Sequence, residues 1–142
     1  MNQWFNKYTD IPYKLFGTDP TTGMDCFTLL CYVFKEQADI QIPYTSSDFL
    51  KMVDDQWFTK THEQHFLNGS KNGDWVEIDT LQPYDLILMC LGATNVVNHV
   101  AMYVGNNKIL QMIENRDSAI YDYHKYFRQY TIKKVRWKSL VS

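Results

Sequence analysis

The apolar positions change period about halfway along the chain. Trp4, Phe5 and Tyr8 are spaced for one face of a helix. A turn-rich stretch runs from Gly17 to Asp25. From Cys26 to about Gln37 the residues Phe27, Leu30, Cys31 and Phe34 recur at helical spacing, with no Gly or Pro between them, and predict a helix. Pro43 ends that region. Ser46 or Ser47 is a candidate N-cap for a second helix near 48–57. Residues 59–73 are polar, contain Asn68-Gly69 and Asn72-Gly73, and read as a loop.

The second half reads as strands. Trp75 to Ile78, Leu86 to Leu91, His99 to Val104 and Lys108 to Ile113 are short and rich in apolar and β-branched residues, separated by Pro83 and by Gly105-Asn106-Asn107. Residues 121–130 suggest a short aromatic helix, and Thr131 to Trp137 a closing strand. Helices first and strands afterwards predict an α+β fold, not a parallel βαβ sheet. Nothing marks an internal boundary, so residues 1–142 read as a single domain.

Size and composition agree with this. A chain of 142 residues with 45% apolar and 21% charged residues can bury a core without disulfide staples. Net charge is −2, which argues against a nucleic-acid partner. The charge is uneven, however. Residues 1–122 carry 8 Lys and Arg against all 16 Asp and Glu, whereas residues 123–142 carry six basic residues and no acid. That basic segment either forms a solvated face or touches an acidic surface. The N-terminus has no apolar signal-peptide core. The longest apolar run, Leu86 to Leu91, is far short of the ~20 residues that span a membrane. The expectation is a protein made and kept in the cytoplasm, or one that leaves by lysis or as part of a particle.

Three cysteines, Cys26, Cys31 and Cys90, leave at least one thiol free. Cys26 opens the predicted helix, where unpaired N–H groups and the positive dipole end favour a thiolate nucleophile. Cys31 lies mid-helix and Cys90 inside an apolar strand, so both read as core. Of the histidines, His62 and His65 are one residue too close for a zinc-protease helix motif and lie in the polar stretch. His124 sits among tyrosines with no evident partner. His99 opens a strongly alternating strand, where its ring can meet a helix terminus.

The hairpin register adds a third residue. With Gly105-Asn106-Asn107 as a three-residue loop, Val104 pairs with Lys108 and Ala101 with Gln111. Gln111 is then the diagonal neighbour of His99 on the same face. A Gln inside an apolar run needs a partner if buried. An amide oxygen accepting from one imidazole nitrogen leaves the other to take a thiol proton, the logic of cysteine hydrolases. The alternative places Gln111 on a solvated edge, and a one-residue slip removes the pairing.

These residues resemble the NlpC/P60 cysteine peptidases. Asp25-Cys26 resembles the nucleophile motif, and Asn98-His99-Val-Ala-Met-Tyr-Val-Gly105 and Lys108-Ile-Leu-Gln111 resemble the His strand and its partner. Tyr13-Lys-Leu-Phe-Gly17, Ile42-Pro-Tyr-Thr-Ser-Ser47 and Leu81-Gln-Pro-Tyr-Asp-Leu86 match the spacers, so the resemblance runs from about Tyr13 to Trp137, with residues 1–12 as an N-terminal extension. It implies a papain-like α+β fold with the Cys helix packed on an antiparallel sheet. It also implies hydrolysis of peptidoglycan stem peptides, typically at the γ-D-glutamyl–diamino-acid bond, without cofactor or metal. Cys26 is then the nucleophile, His99 the base and later the acid, and Gln111 the third polar residue. Tyr13 lines the site near the oxyanion, for which the Cys26 N–H is a donor.

The Asp25-Cys26-Phe-Thr-Leu and Asn98-His99 forms look like the branch found in phage tail-tip proteins. This implies a virion-tail location and tail proteins as partners, with the isolated domain a monomer. The aromatic and basic segment from Tyr123 to Lys138 is the candidate docking surface; the alternative puts its aromatics in the core. Three departures from the family bear on the site: Phe27-Thr28 replace the usual Ser-Gly after the Cys, Phe16 the first of two glycines, and Tyr84 the Gly of the Gln-Pro-Gly-Asp turn. A structural tail subunit with little catalysis, and an amidase or acyltransferase with the same triad, are the rival functions.

Overall fold

A computed structural model describes residues 3–43, 45, 46, 48, 75–92 and 98–141. The expected loop at 59–73, His62, His65 and most of the expected helix near 48–57 lie outside the described residues.

The chain opens with a 3-10 helix, Trp4–Tyr8. A two-stranded ribbon follows, β1 (Thr18–Asp19) and β2 (Gly23–Met24), and then helix α1 (Cys26–Ala38). The remaining strands are β3 (Trp75–Glu77), β4 (Leu86–Met89), β5 (His99–Gly105), β6 (Lys108–Gln111), β7 (Ala119–Asp122) and β8 (Thr131–Trp137). They form one antiparallel sheet in the order β3-β8-β4-β5-β6-β7. The fold is therefore α+β, with helix before sheet.

Helix α1 forms where the periodicity places it because both ends are specified. Asp25 is the N-cap, and its carboxylate accepts from Phe27 N and Thr28 N while Thr28 Oγ1 accepts from Asp25 N. That reciprocal pair is a capping box with Thr in place of Glu or Gln. At the other end Asp39 adopts a left-handed conformation, φ 52°, and Ile40 N returns to Phe34 O. The buried face, Phe27, Leu29, Leu30, Val33 and Phe34, packs on the sheet residues Leu86, Leu88, Val100, Met102, Leu110 and Val135. A second cluster of Ile87, Met89, Ala101, Ile109, Tyr123 and Phe127 covers the other face. Strand alternation thus explains why β4 and β5 are apolar on both sides.

Several elements depart from the sequence reading. The 121–130 region is a strand, Ala119–Asp122, followed by a four-residue helix, Lys125–Arg128, because residues 119–122 pair with β6. Ser46 is not an N-cap, since it is already helical and its hydroxyl donates to Asp25 Oδ1, while Ser47 lies outside the described residues. Asp48 N donates to Thr45 Oγ1 and Thr45 N donates to Asp48 Oδ2, at 3.1 and 2.9 Å. The hairpin closes more tightly than a three-residue loop. Gly105, not Val104, faces Lys108, and Asn106 and Asn107 form a two-residue turn with φ of 51° and 62°. Both central residues at positive φ suit the right-handed strand twist. A bulge between Tyr103 and Gly105 then restores the expected register, Met102 opposite Leu110.

The N-terminal segment belongs to the core. Phe5, Tyr8 and Ile11 are buried in the main cluster, and Tyr8 Oη donates to Glu36 Oε1 on α1 at 2.9 Å. The basic C-terminal segment is also used internally. Arg136 grips the fully buried Asp85 with two bonds of 2.7 and 2.8 Å, and Lys134 Nζ donates to Asp79 O. Tyr123, Phe127 and Trp137 are buried, whereas Tyr126 and Ile132 stay exposed.

Candidate active site

Cys26, His99 and Tyr13 line one cleft of about 220 Å³, together with Asp25, Ser46 and Glu114. Each arrives by a different local mechanism. Cys26 is the first residue of α1, set there by the Asp25 cap. Tyr13 is held beside β2 by two backbone bonds, Lys14 N to Met24 O and Met24 N to Pro12 O, at 2.8 and 2.9 Å. The approach is so close that a Cβ on Gly17 would stand 2.2 Å from Gly23 O. His99 is the first residue of β5, at the rim of the sheet.

His99 Nε2 and Gln111 Oε1 are 2.7 Å apart and both side chains are buried. An amide oxygen accepts only, so Nε2 carries the proton and Nδ1 keeps its lone pair. The register behind this contact is the one expected from sequence, since Met102 faces Leu110 and Tyr103 faces Ile109. Gln111 is fully buried, which settles the choice between core and solvated edge. Its Nε2 has no hydrogen-bond partner among the described residues.

The electrostatics of Cys26 differ from the sequence expectation. The backbone N–H groups of Val100, Cys26 and Phe27 favour the thiolate, as a helix start should. Burial and the neighbouring Asp25 charge outweigh them and push the thiol up to about 12. Burial also lowers His99, against the opposing effect of its bond to Gln111. The resting pair is therefore neutral thiol and neutral imidazole at pH 7. The local dipole was legible in the sequence; desolvation by the surrounding fold was not.

Asp25 does more than open the helix. Its Oδ1 accepts from Phe27 N, Thr28 N and Ser46 Oγ, and its Oδ2 from Phe16 N. It thereby joins the loop after Tyr13, the helix start and the segment at Ser46. The Asp25 carboxylate takes the N–H groups of Phe27 and Thr28 and not that of Cys26. Tyr13 is raised by burial first, then by Glu114, Asp25 and Cys26, so its hydroxyl stays protonated. Asn98 also borders the cleft, but its amide is spent on Leu91, with bonds of 2.8 and 2.9 Å. Cys31 lies outside this cleft, half-buried, and burial pushes it too up to about 12. Ser46 and Glu114 were not singled out as site residues from sequence; no local spacing links either to Cys26.

The sequence pattern of the NlpC/P60 family matches residues 10–136. The chain belongs to the NlpC/P60 family. It is similar to murein DD-endopeptidase MepH of Escherichia coli K12, 29% identical over 70% of this chain and 30% of that protein. It is also similar to gamma-DL-glutamyl hydrolase of Bacillus subtilis 168, 24% identical over 74% of this chain and 21% of that protein. The chain thus spans under a third of the length of these curated relatives. Among solved structures, an NlpC/P60 protein from Bacillus cereus superposes with a TM-score of 0.62 at 24% identity, covering 90% of this chain and 36% of the other. The NlpC/p60 domain of peptidoglycan hydrolase SagA gives 0.53 at 17% identity, covering 91% and 88%. These superpositions show the fold.

The NlpC/P60 membership gives two departures a physical meaning. Phe16 and Tyr84 occupy positions where the family usually carries glycine, and both have positive φ, 63° and 78°. The backbone conformation that favours glycine is retained without glycine. Tyr84 recovers contact by stacking near Trp4, ring centroids 4.8 Å apart. Phe16 is 48% exposed and recovers little. The third departure, Phe27, turns into the core and also forms one wall of the cleft.

Proposed function

We propose that this domain is a cysteine peptidase that hydrolyses peptidoglycan stem peptides, at a bond of the γ-D-glutamyl–diamino-acid class. The observation that carries this reading is the buried His99–Gln111 hydrogen bond in the cleft that Cys26 opens onto. The name of one curated relative, murein DD-endopeptidase, supports peptidoglycan as the substrate, and that of the other, gamma-DL-glutamyl hydrolase, supports a γ-glutamyl bond.

In this mechanism Cys26 Sγ attacks the scissile carbonyl carbon while His99 Nδ1 takes the thiol proton. Gln111 holds the imidazole in the tautomer that leaves Nδ1 free. The Cys26 N–H and the Tyr13 hydroxyl stabilise the oxyanion. His99 then gives its proton to the leaving amine as the C–N bond breaks, leaving a thioester. A water, deprotonated by His99, attacks the thioester carbonyl, and the Cys26 thiol is regenerated with the carboxylate product. Because the resting thiol is neutral, general-base removal of its proton during attack suits the site better than a preformed ion pair.

The test is digestion of purified muropeptides by the wild type and by Cys26→Ala, read by mass spectrometry. Loss of a stem-peptide bond with wild type alone supports the reading. An altered sugar or amide product identifies a different hydrolase, and intact muropeptides in both point to a structural subunit. We also propose carriage on a phage tail, in contact with tail proteins, on the resemblance of the Asp25-Cys26-Phe-Thr-Leu and Asn98-His99 forms. Mass spectrometry of purified virions tests this; absence from virions, with free enzyme in lysates, overturns it.

A further inference from the structure

The cleft contains two carboxylates, and they are in different situations. Asp25 is buried, and its oxygens are committed to Phe16, Phe27, Thr28 and Ser46. Glu114 is exposed, on the turn after β6 where Arg116 N closes onto Ile113 O at 2.9 Å. It borders the same cleft as Cys26, His99 and Tyr13. Among the described residues it makes no hydrogen bond or ion pair, and no Lys or Arg lines the cleft. An unengaged carboxylate beside a reactive thiol creates a local field that attracts cations and repels anions.

We infer that Glu114 is a specificity-determining residue, favouring substrates with a free ammonium group next to the scissile bond. This inference rests on the peptidase reading and names its substrate more closely. A diamino acid carries such an ammonium on its side chain while that amine is unmodified. Once acylated, as in a cross-link, the same nitrogen is uncharged and gains nothing from Glu114. The preferred substrate is therefore a stem peptide with a free side-chain amine. Glu114 acts on the bound group and not on the reacting atoms. Its effect is modest because the carboxylate is solvated, and it weakens with added salt.

Two measurements test this. The first compares kcat/KM for a γ-D-glutamyl-lysine peptide and its Nε-acetyl counterpart. Wild type is expected to prefer the free amine about three- to fivefold at low salt, within the range of exposed ion pairs. The preference falls to about one in Glu114→Gln and persists in Glu114→Asp. A wild-type preference that survives unchanged in Glu114→Gln overturns the assignment.

The second needs no turnover. Cys26 is modified with a cationic (trimethylammonium-ethyl) or an anionic (sulfonatoethyl) methanethiosulfonate, at pH 8.5, and read by peptide mass mapping. The cationic reagent is expected to react on the order of tenfold faster, a ratio that drops severalfold in Glu114→Gln. An unmoved ratio overturns the role of Glu114 whether or not any peptide is cleaved. A ratio that moves, in a protein that leaves both peptides as intact as Cys26→Ala does, refutes the peptidase reading and retains the charge preference.

Discussion

Phe16 N donates to Asp25 Oδ2 at 2.9 Å, tying a left-handed residue of the Tyr13 loop to the cap of the nucleophile helix. The other oxygen of the same carboxylate holds the first turn of α1 and Ser46. One buried side chain thus positions both Tyr13 and Cys26.

Asp25→Ala is expected to cost roughly 2–3 kcal/mol, more than a surface cap, because three segments lose a shared acceptor. Urea unfolding measures it. Asp25→Asn keeps an acceptor oxygen and should lose less than half as much. It also removes the charge that opposes the Cys26 thiolate, so iodoacetamide should label Cys26 faster in Asp25→Asn than in wild type at pH 8. Equal labelling rates would show that the Asp25 charge does not reach the sulfur.

Gln111→Ala is expected to lower turnover on the order of ten- to a hundredfold, and His99→Ala to lower it further. Gln111 fixes the ring without supplying the proton, and a neutral amide supports an imidazolium less than a carboxylate would. The truncation also leaves the buried His99 Nε2–H without its acceptor, so stability is expected to fall by about 1–3 kcal/mol while the fold is kept. Steady-state kinetics with near-ultraviolet circular dichroism separates the two effects. Full activity in Gln111→Ala would remove Gln111 from the site.

The pH dependence follows from the buried His99 and the half-buried Cys26. The His99 pKa is lowered by burial, so its contribution to stability is complete above the ordinary histidine value of about 6.5 and is lost as pH falls through that value toward the folded one. The acidic limb of kcat/KM should therefore lie below pH 6.5. With Cys26 pushed up to about 12, alkylation by iodoacetamide should rise about tenfold per pH unit from 7 to 9, without a plateau. A plateau near neutrality would instead reveal a resting thiolate–imidazolium pair.

Phe16→Gly is expected to stabilise the fold by about 0.5–1 kcal/mol. It relieves roughly 1–2 kcal/mol of left-handed strain, partly offset by the greater freedom of glycine in the unfolded chain. Tyr84→Gly should destabilise, because it also removes the Trp4 contact. Thermal unfolding of both variants gives the sign directly; a loss of stability in Phe16→Gly would mean that its ring contributes more than its exposure suggests.

The chain by itself determined the elements whose signals are local. Helix α1 begins at Cys26 because Asp25 and Thr28 lie three residues apart around its start, and its apolar face has helical spacing throughout. Strand β8, Thr131–Trp137, matches its expected bounds because Val135 and Trp137 alternate inward, although the inward position before them is the buried Lys133 and Ile132 is exposed. The His99–Gln111 relationship was also readable, since a hairpin register needs only a short turn and a periodicity of two. What the tertiary structure decided depends on atoms from distant segments. Arg136 reaches Asp85 across 51 residues, Ser46 reaches Asp25 across 21, and Glu114 comes to the cleft of Cys26 with no sequence signal. The protonation of Cys26 is the sharpest case. The helix start that favours a thiolate is local, but the burial that opposes it belongs to the whole fold, and desolvation of a charge outweighs a few oriented N–H dipoles.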